Sequence, residues 1–222
     1  MIDATEHDTI GASAYRTIRD DIIFGLLKPN EKLRLEPLRK RYNVSVTTLR
    51  EILNRLTSDG LVVAEGQKGF EVASVSDANL WEIAEARLLV EGHAVAQAFE
   101  KGDLDWESQV VAAHHKLSRL ESEMIAGNTD VREAWKRADW GFHRALIVGC
   151  GSATLLELHS QIFDKYLRYQ MLTLAFRGDK AARDHAQLLE AALSRDVEAA
   201  KQVLKIHLLG GVEYIINSRK NP

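Results

Sequence analysis

Four side chains with the donor set of a transition-metal site are spread over the second half of this 222-residue chain. Asp139 and His143 stand four apart in DWGFHRAL. On a helix that spacing means about 40° of rotation and about 6 Å of rise, so a carboxylate and an imidazole share one face and can share one cation. The same spacing also makes a plain charge-assisted contact, and the pair alone leaves both readings open. His185 and His207 flank Asp196 in RDHAQLLEAALSRDVEAAKQVLKIHLL, each eleven residues from it. If the chain turns at Asp196, equal distances from the turn put the two imidazoles at one height, about 16 Å along their helices. Three imidazoles and one carboxylate suit Zn²⁺, Ni²⁺, Mn²⁺ or Fe²⁺ and not Ca²⁺ or Mg²⁺. In an octahedral shell, positions remain for water or for an exogenous carboxylate.

A second chemical signal is charge. Between Lys28 and Arg55 stand eight basic residues (Lys28, Lys32, Arg34, Arg39, Lys40, Arg41, Arg50, Arg55) and three acidic ones (Glu31, Glu36, Glu51), whereas the whole chain carries −3. One face for a polyanion on an otherwise acidic body explains this, and so does a solvated charged surface. The single cysteine, Cys150, excludes an internal disulfide and fits a reducing cytoplasm. No apolar run approaches a membrane span, and the polar start MIDATEHDTI is not a signal peptide, so no membrane partner is expected.

The elements that must position these groups are legible from periodicity. Ile10, Ala14, Ile18, Ile22 and Leu26 recur at helical spacing, giving a first helix over about residues 10–27 before LKPNEKL breaks it. A short helix fits Glu36–Tyr42. NVSVTTLREILNRLTSDG then reads as turn, helix and stop, with Ser45 as N-cap, an apolar stripe of Leu49, Leu53 and Leu56, and Gly60 just past the end. Leu61–Ala64 and Phe70–Ala73 flank a glycine-containing turn and form a hairpin. From Ser76 the texture is helix after helix, punctuated at Gly102, Gly127–Asn128, Gly149–Gly151 and Gly178, with no proline until Pro222. The expected class is mainly α: a winged helix-turn-helix over residues 1–75, then an all-α bundle over 76–222.

Three helices and a hairpin suit DNA. A helix fits the major groove while the hairpin reaches along the backbone. Thr47, Thr48 and Arg50 lie in the first turn of the helix from Val46, where free N–H groups also favour phosphate. Arg50 can hold a guanine bidentately, and Arg39–Lys40–Arg41 can serve phosphates without reading sequence. The competing reading is a winged helix used for protein contacts, with Arg50 in a surface salt bridge to Glu51 or Glu36.

VSVTTLREILNRLTSDGLVVAEGQKGFEVA resembles the DNA-binding domain of the GntR family of bacterial transcription regulators, over residues 10–74. The resemblance implies that Ser45, Thr47, Thr48 and Arg50 touch double-stranded operator DNA, assisted by the wing turn Gly66, Gln67 and Lys68. Many relatives have arginine where this chain has Val46, and some have a base-reading arginine where it has Glu36, which implies an operator other than the commonest in the family. ADWGFHRALI, DHAQLLEAALSRDVEAA and IHLLGGVE are similar to landmarks of the FCD domain that follows many GntR winged helices, over residues 76–218. That resemblance implies Asp139, His143, His185 and His207 as metal ligands and a small carboxylate effector. It also implies that Arg87, one turn before Glu91, faces the effector, where the spacing alone offers an i,i+4 salt bridge. The function implied is a cytoplasmic, homodimeric, ligand-responsive regulator, acting as a repressor.

Two rival readings stay open. A His₃Asp centre with open positions suits a metalloenzyme, hydrolase or oxygenase, with Glu91 as its base, though this leaves the basic winged helix unexplained. Alternatively the metal is a structural staple or is itself the signal. His114, His115 and His159 are expected at the surface or lining a pocket, His93 has no assigned partner, and Cys150 and the tryptophans are expected to pack.

Overall fold

The computed structural model describes residues 9–64, 66, 69–173 and 176–220. The chain divides into two compact units, Met1–Ser76 and Asp77–Pro222.

In the first unit, α1 (Ile10–Ile23), α2 (Leu35–Arg41) and α3 (Val46–Ser58) enclose a core with a small sheet of β1 (Lys32–Leu33), β2 (Val62–Ala64) and β3 (Phe70–Val72). Ile18, Ile22, Leu49, Leu53 and Leu56 are buried there with Leu33 and Val72. Helix α1 stops at Ile23, earlier than the apolar period suggests. Gly25 takes φ 81° and turns the chain, and Leu27 still reaches the core from beyond the turn. The sheet is antiparallel in the order β1-β3-β2, with Lys32 opposite Glu71 and Val62 opposite Val72. Two-residue β1 is too short to show an alternation, so periodicity misses it. Ser45 caps α3: its hydroxyl accepts from Thr48 N–H at 3.0 Å, and Gly60 leaves the helix at φ 73°.

In the second unit, α4 (Asp77–Lys101), α5 (Leu104–Ile125), α6 (Arg132–Val148), α7 (Ala153–Thr173), α8 (Asp179–Ser194) and α9 (Val197–Lys220) form a bundle, with a 3₁₀ turn at Thr129–Val131. Helix α4 packs on α7 and α9, α5 on α6 and α8, and α8 on α9. The α8–α9 turn forms where Arg195 adopts the left-handed conformation (φ 59°) and Asp196 accepts from Ala199 N–H at 2.9 Å. The core joins Trp106, Trp135, Phe142, Leu146, Leu188 and Leu204. Each such side chain contributes about 1.5–3 kcal/mol by leaving water. That matters for function, because the same three helices that supply Phe142, Leu188 and Leu204 supply the candidate ligands.

Candidate metal centre and nucleic-acid interface

The bundle brings Asp139, His143, His185 and His207 together: one ligand atom from each lies within 4.8 Å of all the others. All four are buried. They come from α6, α8 and α9 as the hairpin argument expects, and the rings of His185 and His207 are 4.7 Å apart. His185 Nε2 stands 3.2 Å and His143 Nε2 3.9 Å from Asp139 Oδ1. His143 Nε2 is buried with no hydrogen-bond partner among the described residues, and His185 Nε2 faces only the Asp139 carboxylate. Unpaired buried donors or acceptors are costly unless something completes them, so this donor set fits a cation held by three imidazoles and a carboxylate.

Sequence reasoning missed how the imidazoles are aimed. His143 Nδ1–H donates to Glu91 at 2.5 Å, and His185 Nδ1–H donates to Glu121 at 2.6 Å. His207 Nδ1 lies 3.2 Å from Asp184 Oδ2. A carboxylate on Nδ1 fixes both ring orientation and tautomer, leaving Nε2 free to ligate. Arg177 Nη2 is 3.0 Å from the same His207 Nδ1 and 3.3 Å from Asp184. With Nδ1 protonated, both Nδ1–H and Arg177 donate to Asp184. The only sequence hint was a lone acidic residue in an apolar stretch, as in LLVEGHAV; nothing in spacing pairs Glu121 with His185, 64 residues away.

Glu91 is therefore an orienting group and not the free base that the enzyme reading needs. It accepts from Arg87 Nε at 2.7 Å, from His143, and from His159 Nε2–H at 3.2 Å. His159 is buried against Glu91, whereas His93 is exposed and pairs with Gln97. Arg87 makes the i,i+4 salt bridge, stacks over Phe163 at 4.2 Å, and keeps Nη2 buried without a partner among the described residues.

The electrostatics suit most of the candidate ligands to a cation. Burial alone would raise the Asp139 carboxyl, but Lys136, His185 and His143 pull it well below its usual range. Burial alone would likewise raise Glu91, yet Arg87, His143 and His159 hold it well below. Burial lowers His143 and drives His207 well down, favouring neutral imidazoles. His185 is the exception: burial opposes its charge, but Asp139 and Glu121 on either side raise it to about 9.

Beside the cluster opens a cavity of about 20 Å³, lined in part by Asp139, His185 and His207 with Lys136, Gln170 and Arg177. Arg87 is not in its wall.

In the other unit, Ser45, Thr47 and Arg50 are exposed at the start of α3. Ser45 and Thr48 bond each other (2.9 Å) as part of the cap. Arg50 makes no ion pair among the described residues, and Glu36 is taken by Arg39 at 2.8 Å. Arg41 pairs with Asp21 at 2.9 Å, and Arg55 lies over Tyr15 at 3.9 Å. The local positive excess is thus partly used within the unit, and Lys28, Lys32, Arg34, Lys40 and Arg50 remain unpaired by acids among the described residues. Gly66 is exposed in the wing turn with φ 52°; Gln67 and Lys68 lie outside the described residues.

Comparison with known proteins agrees with both units. Residues 11–72 match the family described as bacterial regulatory proteins, gntR family, and residues 82–210 match the FCD domain. The chain is 36% identical to the HTH-type transcriptional repressor GlaR of Escherichia coli (strain K12), over 90% of this chain and 93% of that protein. It is 31% identical to the uncharacterized HTH-type transcriptional regulator BphR of Paraburkholderia xenovorans (strain LB400), over 91% of this chain and 84% of that one. In fold it resembles E. coli McbR/YncC with a TM-score of 0.80 at 20% identity, covering 95% and 99% of the two chains. A recognition helix with an exposed arginine, joined in one chain to a helical ligand domain of this pattern, is a regulator's architecture: the protein belongs to the GntR family of transcription regulators, in the group that carries an FCD domain.

Proposed function

We propose that this regulator is a dimeric repressor that leaves its operator when a small carboxylate binds at a metal-centred pocket in the helical unit. The observation that carries the reading is the buried convergence of four ligand atoms whose imidazoles are each backed by a carboxylate. Asp139, His143, His185 and His207 would hold Zn²⁺, Ni²⁺, Mn²⁺ or Fe²⁺. When bound, such an ion supplies a Lewis-acidic centre that an acid's carboxylate oxygen can complete.

The chain's own residues do the rest. Glu91, Glu121 and Asp184 aim the imidazoles. Arg87 holds Glu91 and so keeps the carboxylate behind His143 in place. Glu91 links α4, which begins at Asp77, to His143 on α6, so occupancy of the pocket bears on α4 directly. An acid that binds one arrangement of the bundle better than another shifts the population toward it. In the first unit, Thr47 and Arg50 offer donors to base edges, Ser45 and Thr48 sit at the helix start toward phosphate, and Arg39 and the wing residues Gly66, Gln67 and Lys68 assist. Two copies would serve the half-sites of a palindrome.

The test is operator affinity of the full chain, measured by fluorescence anisotropy while metal and then small acids are titrated. Release by acid only in the metal-loaded protein supports the sensor. Release by metal alone makes the ion the signal. Indifference to both leaves the ion a structural staple and sinks the reading.

A further inference from the structure

The cavity wall holds polar groups that the metal cluster does not use. Lys136 is 2% exposed. Its Nζ lies 3.6 Å from Asp139 Oδ2 and 3.8 Å from the Trp135 ring centroid. Arg177 gives Nη2 to Asp184, yet among the described residues its Nη1 is buried without a partner, and so is Oε1 of Gln170. These three side chains come from α6, α7 and the segment before α8 and line one cavity with Asp139, His185 and His207. An ion at the cluster would compete with Lys136 for the charge of Asp139, leaving the ammonium in want of another anion. A carboxylate answers that need and the free Arg177 N–H together. It does nothing for Gln170, whose buried amide end needs a group of its own. A hydroxyl both donates and accepts, so it satisfies the amide in either orientation.

We infer that Lys136 and Arg177 clamp the effector's carboxylate, that Gln170 reads a hydroxyl beside it, and that the effector is a compact hydroxy acid. The cavity of about 20 Å³ is roughly the room of one or two water centres, which favours a short acid over a long-chain one. The inference rests on the carboxylate-sensor reading and names its ligand class and specificity residues.

The experiment uses the full chain loaded with Zn²⁺ and calorimetric titration with matched pairs that differ by one hydroxyl: glycolate and acetate, lactate and propionate, malate and succinate. At least one hydroxy acid is expected to bind about 10-fold tighter than its partner, the worth of roughly one good hydrogen bond. Gln170→Leu brings that ratio close to one, whereas Lys136→Met and Arg177→Gln weaken both members of the pair about 10- to 100-fold. Zinc content is measured on every variant by elemental analysis, which separates loss of clamp from loss of ion. A preference that survives Gln170→Leu comes from chelation by the ion alone and overturns the role of Gln170. Wild-type affinity in both cation variants overturns the clamp while leaving the sensor reading in place. A zinc-loaded wild type that binds none of the six acids overturns the sensor reading and this inference with it.

Discussion

Glu121→Gln changes one atom and tests how the metal centre is built. In the wild type, His185 Nδ1–H donates to a buried carboxylate at 2.6 Å while Nε2 points at Asp139. Glutamine is isosteric and its amide oxygen can still accept, so ring orientation is kept and only the charge behind the imidazole is lost. A hydrogen bond to a charged group contributes about 1.5–3 kcal/mol against about 0.5–1.5 for a neutral one, so roughly 1–2 kcal/mol goes. That converts to about 5- to 30-fold, overlapping the 10- to 100-fold typical of partners behind metal-bound histidines. The assay is competition for Zn²⁺ against a chromophoric chelator. Glu123→Gln on the same helix is the control: Glu123 is exposed and only accepts from Asn128, so its affinity stays at wild type. If Glu121→Gln binds zinc as tightly as wild type, the carboxylate behind His185 does not tune the site and the reasoning fails.

Further predictions follow from other parts of the molecule. His185→Ala combined with His207→Ala removes two ligands, and elemental analysis then finds no stoichiometric metal; full retention contradicts the site. In the metal-free protein, the His185 pKa is raised to about 9, so its ion pairs stabilise fully below pH about 6.5 and that contribution fades as pH rises through 9. Because zinc needs this imidazole neutral, loading at pH 7 should release about one proton, readable as calorimetric heats that vary with the buffer's ionisation enthalpy; heats independent of buffer refute it. Arg50→Ala should cost operator affinity about 1–3 kcal/mol with the fold unchanged by circular dichroism, and unchanged binding removes Arg50 as a base reader. Operator affinity should also fall with salt in proportion to the phosphates engaged, and a flat dependence argues against those contacts.

What could be read in the sequence, and what could not, divides by range. Ser45, Gly60 and Asp196 act locally, through caps and turns whose chemistry lies within a few residues, and each stands where the residue types put it. The His185–His207 pairing was legible because a hairpin converts equal sequence offsets into equal heights. Strand β1 left no mark, being held by its partner β3 and not by its own pattern. The carboxylates behind the imidazoles were illegible for a related reason. Asp184 adjoins His185 in sequence yet serves His207, because adjacent residues on a helix point about 100° apart. Composition alone offers Arg39 and Arg41 to phosphates; the Glu36–Arg39 pair is an i,i+3 contact within α2, whereas only the fold brings Asp21 to Arg41.

The four candidate ligands run from the middle of the chain to His207, near its end, on three helices. During synthesis the winged unit and its recognition helix are complete long before the last imidazole leaves the ribosome. A message cut short in α8 would still encode a whole DNA reader, but one that holds no ion and hears no acid. If the four residues hold the ion and the acid as proposed, an ion-loaded protein is one whose translation reached α9, and a nonsense mutation late in the gene gives a deaf regulator and not a missing one.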